Sequence, residues 1–514
     1  MVLFSCDDQL DEVPNKQTDI IPTAVDHLSY LLNKQDVKKT DADMYTALGD
    51  DFKPSKEWQK ANNFAYTNGD YEVYGWDWDI LLQPNVGNNF YDQEYQRILM
   101  ANTILGYADQ VEGTEEEINR IKGDAYFLRA YSHFALARTF ALPYDNNAAS
   151  NLGIAIKDNA SVDKFPNRST LEETYNFILS DLEKAREYLK DISLSRSKDG
   201  PTEQWRASSA AAYAFSAKVY LAKGDFVNAE KNADLALANL GEARLINYNT
   251  EMGYSVYPPE EVTVYYQEGV PTTEAIRNPK TSDFEFKAYD WDEMLFYQQN
   301  NSRMWYVPSD DLIAAYGTET ERNLDLRWKY NFIENYSFTN EKLRGNNETG
   351  EDFVPAVKIP AYGGLTKTGL TVGEVYLIKA ECQVRNNSDI SGAQQTVNNF
   401  RAHRIDEAAP EDYKNLSFSG KDDAIRKILE EKRRELPFIE RWYDVKRIAG
   451  YGEFGNVSTV VRDWYAYDLT GVSDTEKQFT FDPEADYKKL AFPIPTKEIE
   501  TLATYGVEMK QNEY

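Results

Sequence analysis

The chain has 514 residues, a length that fits about three ordinary domains or one continuous body of helical repeats. Its composition is close to the globular average, with 42% hydrophobic and 27% charged residues, so long disordered tracts are not indicated. The 85 acidic residues against 56 basic ones give a formal charge of -29. This charge argues against nucleic acid as a partner, because phosphate recognition needs clustered Lys and Arg.

The first feature along the chain is an apolar run that ends in cysteine, "VLFSCDDQLDE". It resembles the tail of a bacterial lipoprotein signal, in which cleavage precedes the cysteine and the cysteine is then acylated. We therefore interpret residues 1–5 as a signal-peptide remnant and Cys6 as a lipidation site. An incidental cysteine near a chain end is the alternative. Elsewhere the sequence contains no run of about 18 apolar residues that could span a bilayer.

The next feature is the stretch "YEVYGWDWDILLQ", residues 71–83, where two tryptophans lie two positions apart and each is followed by an aspartate. In a helix the two rings would diverge by roughly 200°, whereas on an extended segment Trp76 and Trp78 share one face and Asp77 and Asp79 point elsewhere. Gly75 favours the extended interpretation. These residues alone leave open whether the rings pack in the core or face solvent.

Two long helices are predicted from "EEINRIKGDAYFLRAYSHFALARTFALPY" and "LEETYNFILSDLEKAREYLKD". Ser169 or Thr170 is the expected N-cap of the second helix, with Glu173 close enough for a capping box. His133 lies on the amphipathic first helix, so we expect a satisfied core histidine in preference to a ligand.

Two helix–turn–helix units follow. In "AKVYLAKGDFVNAEKNADLALA" the small residues fall at the spacing of a tetratricopeptide helix pair, with Gly224 as the left-handed C-cap and Asp225 as the next N-cap. A weaker second unit is "TVGEVYLIKAECQVRNNSDISGAQQTVNNFRAHR", where Asn386 and Asn387 are expected to break the helix and Cys382 to be a small core residue. A further helix over "KDDAIRKILEEKRRELPF" should stop near Pro437.

The tracts between these helices have another character. Residues 241–365 are rich in Pro, Gly, Tyr and Trp and contain short alternating pieces such as "VTVYY", which predicts loops and short strands. A similar irregular stretch is "YGEFGNVSTVVRDWYAYDLTGV". The coarse prediction is a helical scaffold with long aromatic excursions, and excursions of that length are commonly functional.

Several of these segments together resemble the SusD/RagB family, the surface glycan-binding lipoproteins of Bacteroidetes. In chain order they are "GDAYFLRAYSHFALARTFALPY", "MWYVPSDDLIAAY", "EVYLIKAE", "EEKRRELPFIERWYDVKR" and "AFPIPTKEIE". The resemblance implies a mostly α fold, with tetratricopeptide-like helix pairs in a right-handed superhelix and a large irregular, loop-rich part with a few short strands.

The resemblance also implies one SusD-like domain over residues 6–514. The helical scaffold is expected mainly at 90–240 and 370–450, and the irregular ligand-facing parts mainly at 60–90, 241–365 and 450–490. Family members are anchored to the outer membrane surface only through an N-terminal lipid. They sit as a lid on a SusC-like, TonB-dependent transporter, and together the two proteins import oligosaccharides.

Sugar binding by aromatic stacking is the chemistry expected of two clusters. A pyranose ring offers a flat patch of C–H groups to an aromatic face, while its hydroxyls need polar partners at the rim. We expect at least one of Trp76 and Trp78 to face solvent and stack on a glycan, with Asp77 and Asp79 as hydroxyl acceptors. The second cluster lies in "AYDWDEMLFYQQNNSRMWYVPS" and consists of Tyr289, Trp291, Arg303 and Trp305.

The sequence gives less support to a catalytic site or a metal site. The segment "EEKRRELPFIERWYDVKR" resembles the family signature, and its charged residues could suggest acid–base chemistry. We predict instead that these signature residues form a structural ion-pair network around the anchor Trp442; they are Glu435, Glu440, Arg441, Asp444 and Arg447. No HExxH, GxSxG or Gly-rich phosphate loop occurs. No cofactor is expected, and the many carboxylates leave a calcium site open although no EF-hand spacing occurs.

Two other functions remain as alternatives to non-catalytic glycan binding. The first is a scaffold whose helical repeats hold a protein or peptide partner of the transporter complex, with the aromatics mainly structural. The second is a glycoside hydrolase, for which a carboxyl pair about 5 to 10 Å apart would be needed and Asp77 with Asp79 is the candidate.

Overall fold

The computed structural model of the chain describes fourteen stretches of residues, which are 21–34, 39–40, 48–54, 72–161, 163–194, 204–256, 262–266, 274–276, 292–300, 306–336, 354–357, 369–456, 459–466 and 475–514. Cys6, the predicted lipidation site, lies outside them.

Most of the regular structure is helical, as predicted. The longer helices are α1 Val25–Leu32, α2 Asn89–Tyr107, α3 Glu115–Phe140, α4 Leu171–Tyr188, α5 Ser209–Lys223, α6 Phe226–Ala238, α7 Val372–Asn387, α8 Ile390–Arg401, α9 Lys421–Glu435, α10 Arg441–Gly450 and α11 Thr496–Thr504. Shorter helical pieces are Tyr248–Glu251, Asp310–Ala315, Glu319–Arg322, Leu326–Asn331, Glu411–Lys414, Phe454–Asn456 and Tyr487–Leu490. Within the described ranges no helix is long and apolar enough to cross a bilayer.

The helix pair predicted from the sequence is confirmed. Gly224 ends α5 with φ of 79°, a left-handed conformation that glycine adopts without a Cβ clash. The carboxylate of Asp225 then accepts a hydrogen bond of 3.1 Å from the backbone N–H of Asn228 and caps α6. Ala229 and Ala233 on α6 are fully buried, so the small side chains let the two helices approach closely.

Two other helix boundaries test the local predictions. Thr170 is the N-cap of α4, and it forms the predicted capping box with Glu173 through bonds of 3.1 and 2.9 Å. The break after α7 was placed one or two residues too early, because Asn386 and Asn387 still belong to the helix. Ser388 takes the left-handed conformation with φ of 53°, and Asp389 caps α8.

The strands are short and pair into small separate sheets. They are β1 Lys39–Thr40, β2 Phe52–Pro54, β3 Leu152–Ala155, β4 Arg168–Thr170, β5 Met252–Val256, β6 Val262–Tyr266, β7 Glu274–Ile276, β8 Met294–Tyr297, β9 Gln299–Asn300, β10 Tyr306–Pro308, β11 Phe332–Tyr336, β12 Val354–Val357, β13 Gly369–Thr371, β14 Val460–Ala466 and β15 Thr475–Phe481. The pairs are β1–β9, β2–β10, β3–β4, β8–β13, β11–β12 and β14–β15, with one three-stranded sheet β5–β6–β7.

The largest hydrophobic core lies between helices α3 to α7. Strand β8 inserts Leu295 and Phe296 into it, and β8 pairs with β13 at the entry to α7. Cys382 is fully buried in the same core, as expected of a small apolar residue. Strand β8 of the irregular tract is therefore packed directly on the helical scaffold.

Candidate functional site

The tryptophan segment does not have the extended backbone that was predicted. Residues 72–74 form a helical turn, and the chain reverses through Gly75 and Trp76. Trp76 has φ of 54°, which is unusual for a residue with a bulky side chain. A Cβ on Gly75 would lie 2.6 Å from the ring of Phe479, so the turn closes tightly over that ring.

Both tryptophan rings are buried, so the predicted solvent exposure of Trp76 or Trp78 is wrong. Only 1% of Trp76 and 4% of Trp78 is accessible. The ring of Trp76 lies 5.1 Å from that of Phe481, and the guanidinium of Arg462 covers it at 3.9 Å. The ring of Trp78 packs 4.6 Å from Phe492.

The two rings are buried because this loop packs on a hydrophobic cluster that encloses their large apolar surfaces. Residues of α10, β15 and the C-terminal segment join the two tryptophans in one cluster, and each aromatic ring buries about 150–250 Å². The alternation in the sequence is real, since both rings point inward and both aspartates outward. Alternation shows that the rings share a side, but it does not show which side faces water.

Asp77 and Asp79 are exposed on the outer edge of this anchored loop. One carboxylate oxygen of Asp77 accepts a hydrogen bond of 3.1 Å from the backbone N–H of Asp79, which fixes the local turn. The remaining carboxylate oxygens face solvent, where they are able to accept hydrogen bonds from a polar ligand.

The second predicted cluster, Tyr289, Trp291, Arg303 and Trp305, lies outside the described residues. Some neighbouring residues of this cluster do lie within the described ranges. Strand β10 begins directly after Trp305 and pairs with β2, where Pro308 lies opposite Phe52. The phenol of Tyr74 donates a hydrogen bond of 3.1 Å to the carbonyl of Phe52, so β10 and the tryptophan loop are attached to the same strand.

The signature residues form the predicted structural ion-pair network. Glu440 accepts from Lys218 at 2.8 Å and from Arg138 at 3.2 Å. Burial raises the pKa of Glu440, but the charges of Lys218 and Arg138 outweigh burial and hold that pKa well below its usual range.

Other members of the ion-pair network are also charge-paired. Asp444 accepts from Lys432 at 2.9 Å and from Arg447 at 2.7 Å. Trp442 is buried beside them, as predicted for an anchor.

The network also joins distant parts of the chain. Arg441 binds the carboxylate of Asp50 with a bond of 2.9 Å, which attaches the early segment before β2 to the signature helix. Glu435 binds the fully buried guanidinium of Arg404 at 3.0 Å, and Arg404 also binds Glu293 at 2.6 Å. These carboxylates are buried and charge-paired, as expected of residues that hold the fold.

His133 is the satisfied core histidine expected from its position. Its Nδ1 lies 2.8 Å from the carbonyl of Arg129, and its Nε2 accepts from the backbone N–H of Lys157 at 3.3 Å, which places the proton on Nδ1. Burial lowers the pKa of His133 to about 3. In the part of the chain that the structure describes, no group of three or more His, Cys, Asp or Glu side chains is placed to hold a metal ion.

An open cleft of about 260 Å³, which the sequence did not suggest, lies between three distant segments. Helix α2 provides Tyr91 and Tyr95, the connection between β3 and β4 provides Lys157 and Phe165, and α11 provides Glu498. Only the fold brings these segments together. The one sequence signal nearby, "AFPIPTKEIE", pointed to a family and not to a cleft.

Comparison with known proteins gives consistent matches at both ends of the chain. Residues 9–221 match the family model described as "Starch-binding associating with outer membrane", and residues 368–514 match the model described as "SusD family". The "SusD-like protein P2" of Formosa agariphila is 26% identical over 443 residues, which cover 80% of this chain and 77% of that protein.

Solved structures show the same fold over nearly the whole length. A SusD superfamily protein from Bacteroides thetaiotaomicron aligns with a TM-score of 0.64 at 20% identity, covering 96% of this chain and 100% of that one. A Bacteroides vulgatus protein described as a candidate "sugar binding protein" aligns with a TM-score of 0.63 at 21% identity, covering 96% and 99%. The two family models together match most of the sequence, and the chain belongs to the SusD/RagB family.

Proposed function

We propose that the protein binds oligosaccharide or polysaccharide at the cell surface without cleaving it, and delivers it to a SusC-like, TonB-dependent outer-membrane transporter. The observation that carries this proposal is membership of the SusD/RagB family through models at both ends of the chain. The printed descriptions of the first family model and of the Bacteroides vulgatus protein, starch binding and sugar binding, support a carbohydrate as the ligand. Attachment to the membrane is proposed to occur through a lipid on Cys6.

The proposed binding surface lies around the outer edge of the tryptophan loop. Asp77 and Asp79 accept hydrogen bonds from sugar hydroxyls, and the stacking rings come from Tyr289, Trp291 and Trp305, with Arg303 as a further polar partner. The attachment of β10 and Tyr74 to the same strand β2 supports this arrangement, because Trp305 directly precedes β10. Trp76 and Trp78 anchor the loop from beneath and are not part of the proposed contact surface.

Rigidity is the second argument for this surface. Arg462 is buried and lies 3.7 Å from the ring of Tyr74 and 3.9 Å from that of Trp76. A loop held in this way loses little conformational entropy when a ligand binds. Weak sugar contacts therefore translate more fully into affinity.

Affinity gel electrophoresis against soluble polysaccharides tests the site. We expect the doubly substituted variant Asp77→Ala, Asp79→Ala and the variant Trp305→Ala each to reduce retention about tenfold while the protein stays folded at the assay temperature. The exposed acid pair Glu115→Ala, Glu116→Ala at the start of α3 is the matched control and should retain wild-type mobility. Wild-type retention in both site variants would reject this placement.

Delivery to a transporter is tested separately. Co-purification of the full chain with a SusC-like transporter from the same organism should give a stable complex. A chain that never associates with it would contradict the delivery step while leaving glycan binding to be judged by electrophoresis.

A further inference from the structure

The cleft between α2, the β3–β4 connection and α11 has the features of a second, smaller ligand site. Its volume of about 260 Å³ lies just below the ~300–1,000 Å³ that drug-sized ligands occupy. It therefore suits a small molecule or the end group of a larger one. No residue that lines it belongs to the tryptophan loop or to the 289–305 cluster.

One wall of the cleft is aromatic. Tyr91 is buried and Tyr95 partly buried beneath it, and the hydroxyl of Tyr95 donates a hydrogen bond of 2.8 Å to the carbonyl of Ala155 and accepts one from the hydroxyl of Tyr91. The ring of Phe165 also lines the cleft, and Tyr505, which does not line it, supports that ring by stacking with centroids 4.2 Å apart and planes 22° apart.

The other wall carries polar groups with unused hydrogen-bonding capacity. Glu498 is half-buried, and its carboxylate makes no hydrogen bond or ion pair with any residue that the structure describes. Burial and the nearby charge of Asp92 both raise the pKa of Glu498. The ammonium group of Lys157 donates to the carbonyl of Lys164 and has further N–H groups to offer.

These features select among ligand classes. A charged ligand of either sign would meet a like charge, because both the Glu498 carboxylate and the Lys157 ammonium line the cleft, and an apolar one would leave both groups without a partner. A neutral sugar fits both walls, because its hydroxyls donate to a carboxylate and its C–H face stacks on an aromatic ring.

We propose that this cleft binds one neutral sugar residue, free or at the end of a glycan, with Phe165 packing on the C–H face of the ring, Glu498 accepting from its hydroxyls and Lys157 donating to them. The inference deepens the proposed function by adding a second contact point for the same class of ligand. Two separated contacts on one glycan raise its overall affinity through effective concentration.

Saturation-transfer-difference NMR on the full chain tests the cleft. The probes are the methyl glycosides of glucose, galactose, mannose and xylose, each titrated separately. We expect at least one to bind the wild type, and Phe165→Ala and Glu498→Gln each to weaken that binding about tenfold. Tyr30→Ala is the matched control, because Tyr30 is 68% exposed on α1 and does not line the cleft, and it should bind as the wild type does.

Absence of saturation transfer from all four probes, or unchanged binding in both cleft variants, would overturn the inference. Electrophoretic retention of the same proteins separates this result from failure of the proposed function. Retention that persists while the cleft variants show no effect rejects the cleft alone. Loss of polysaccharide retention in the wild type rejects glycan capture, whatever the methyl glycosides do.

Discussion

The ammonium of Lys218 lies 2.8 Å from the carboxylate of Glu440, although the two residues are 222 positions apart in the sequence. Lys218 belongs to α5 in the middle of the helical scaffold, and Glu440 immediately precedes α10. Both are buried, and Lys218 also binds Glu374 of α7 at 2.9 Å. One buried charge cluster therefore joins the helix repeats to the signature segment.

Removing one charge of this cluster should destabilise the protein strongly. We expect Glu440→Gln to lower the free energy of unfolding by about 3–5 kcal/mol, because it leaves buried cations with too few anions. The double variant Lys218→Met, Glu440→Gln should lose less than the sum of the two single variants. Urea denaturation followed by far-UV circular dichroism measures all three.

Lys488→Ala provides the control for that series. Lys488 and Glu513 are 3.6 Å apart with largely exposed side chains, so their removal should cost about 0–1 kcal/mol. An equally small loss in Glu440→Gln would show that the signature network does not stabilise the fold.

The tryptophan loop gives a second prediction. Trp76→Ala should lower the free energy of unfolding by about 3–5 kcal/mol, because it opens a cavity beside Phe481 and removes the surface under Arg462. Chemical denaturation measures this loss, and affinity electrophoresis below the unfolding transition should show retention that is reduced less than in the Asp77→Ala, Asp79→Ala variant, because the contact groups remain and only the rigidity of the loop is lost. A variant of full stability that no longer retains glycan would restore a direct binding role for this ring.

Glycine at position 75 is a third test of the tight loop. A Cβ there would lie 2.6 Å from Phe479, so Gly75→Ala should cost about 1–3 kcal/mol through overpacking. In the neighbouring Gly87→Ala control the nearest atom is the Cδ of Lys497 at an ordinary 3.6 Å. Differential scanning calorimetry should give a lower Tm for Gly75→Ala than for Gly87→Ala, and equal values would contradict the packing described.

His133 predicts how stability depends on pH. Its pKa is about 3 in the folded protein against an ordinary value of 6.5, so the unfolded chain binds the extra proton first as pH falls. The stability that neutral His133 contributes is complete above about pH 6.5 and is lost toward pH 3, with a slope of about 1.4 kcal/mol per pH unit.

His133→Gln removes the titrating ring and keeps a donor and an acceptor for the backbone of Arg129 and Lys157. Urea midpoints measured between pH 7.5 and 4.5 should fall more steeply for the wild type than for this variant. Parallel curves would mean that His133 binds its proton equally well in the folded and the unfolded chain.

Predictions from the sequence were most accurate where a few neighbouring residues determine the backbone conformation. Gly224, Asp225 and the Thr170–Glu173 capping box act within one helical turn, and each was located correctly. At Asn386 and Asn387 the same local reasoning failed by one or two residues, because asparagine also tolerates the helix and Ser388 takes the left-handed turn.

Side-chain exposure depends on distant parts of the chain and could not be predicted in the same way. Trp76 and Trp78 alternate with aspartates, a pattern that suits either a binding platform or a buried anchor. Phe481 and Phe492, about 400 residues away, decide between the two. The cleft was missed for the same reason, since Tyr95, Phe165 and Glu498 come together only in the folded chain.

A glycan array probed with the intact chain tests the central claim most directly. The account predicts binding to at least one class of plant, host or microbial glycan, with no reducing sugar released on prolonged incubation. Silence across all three classes alongside a stable transporter complex would contradict glycan capture and favour a scaffold for another partner. Release of reducing sugar would contradict the non-catalytic role.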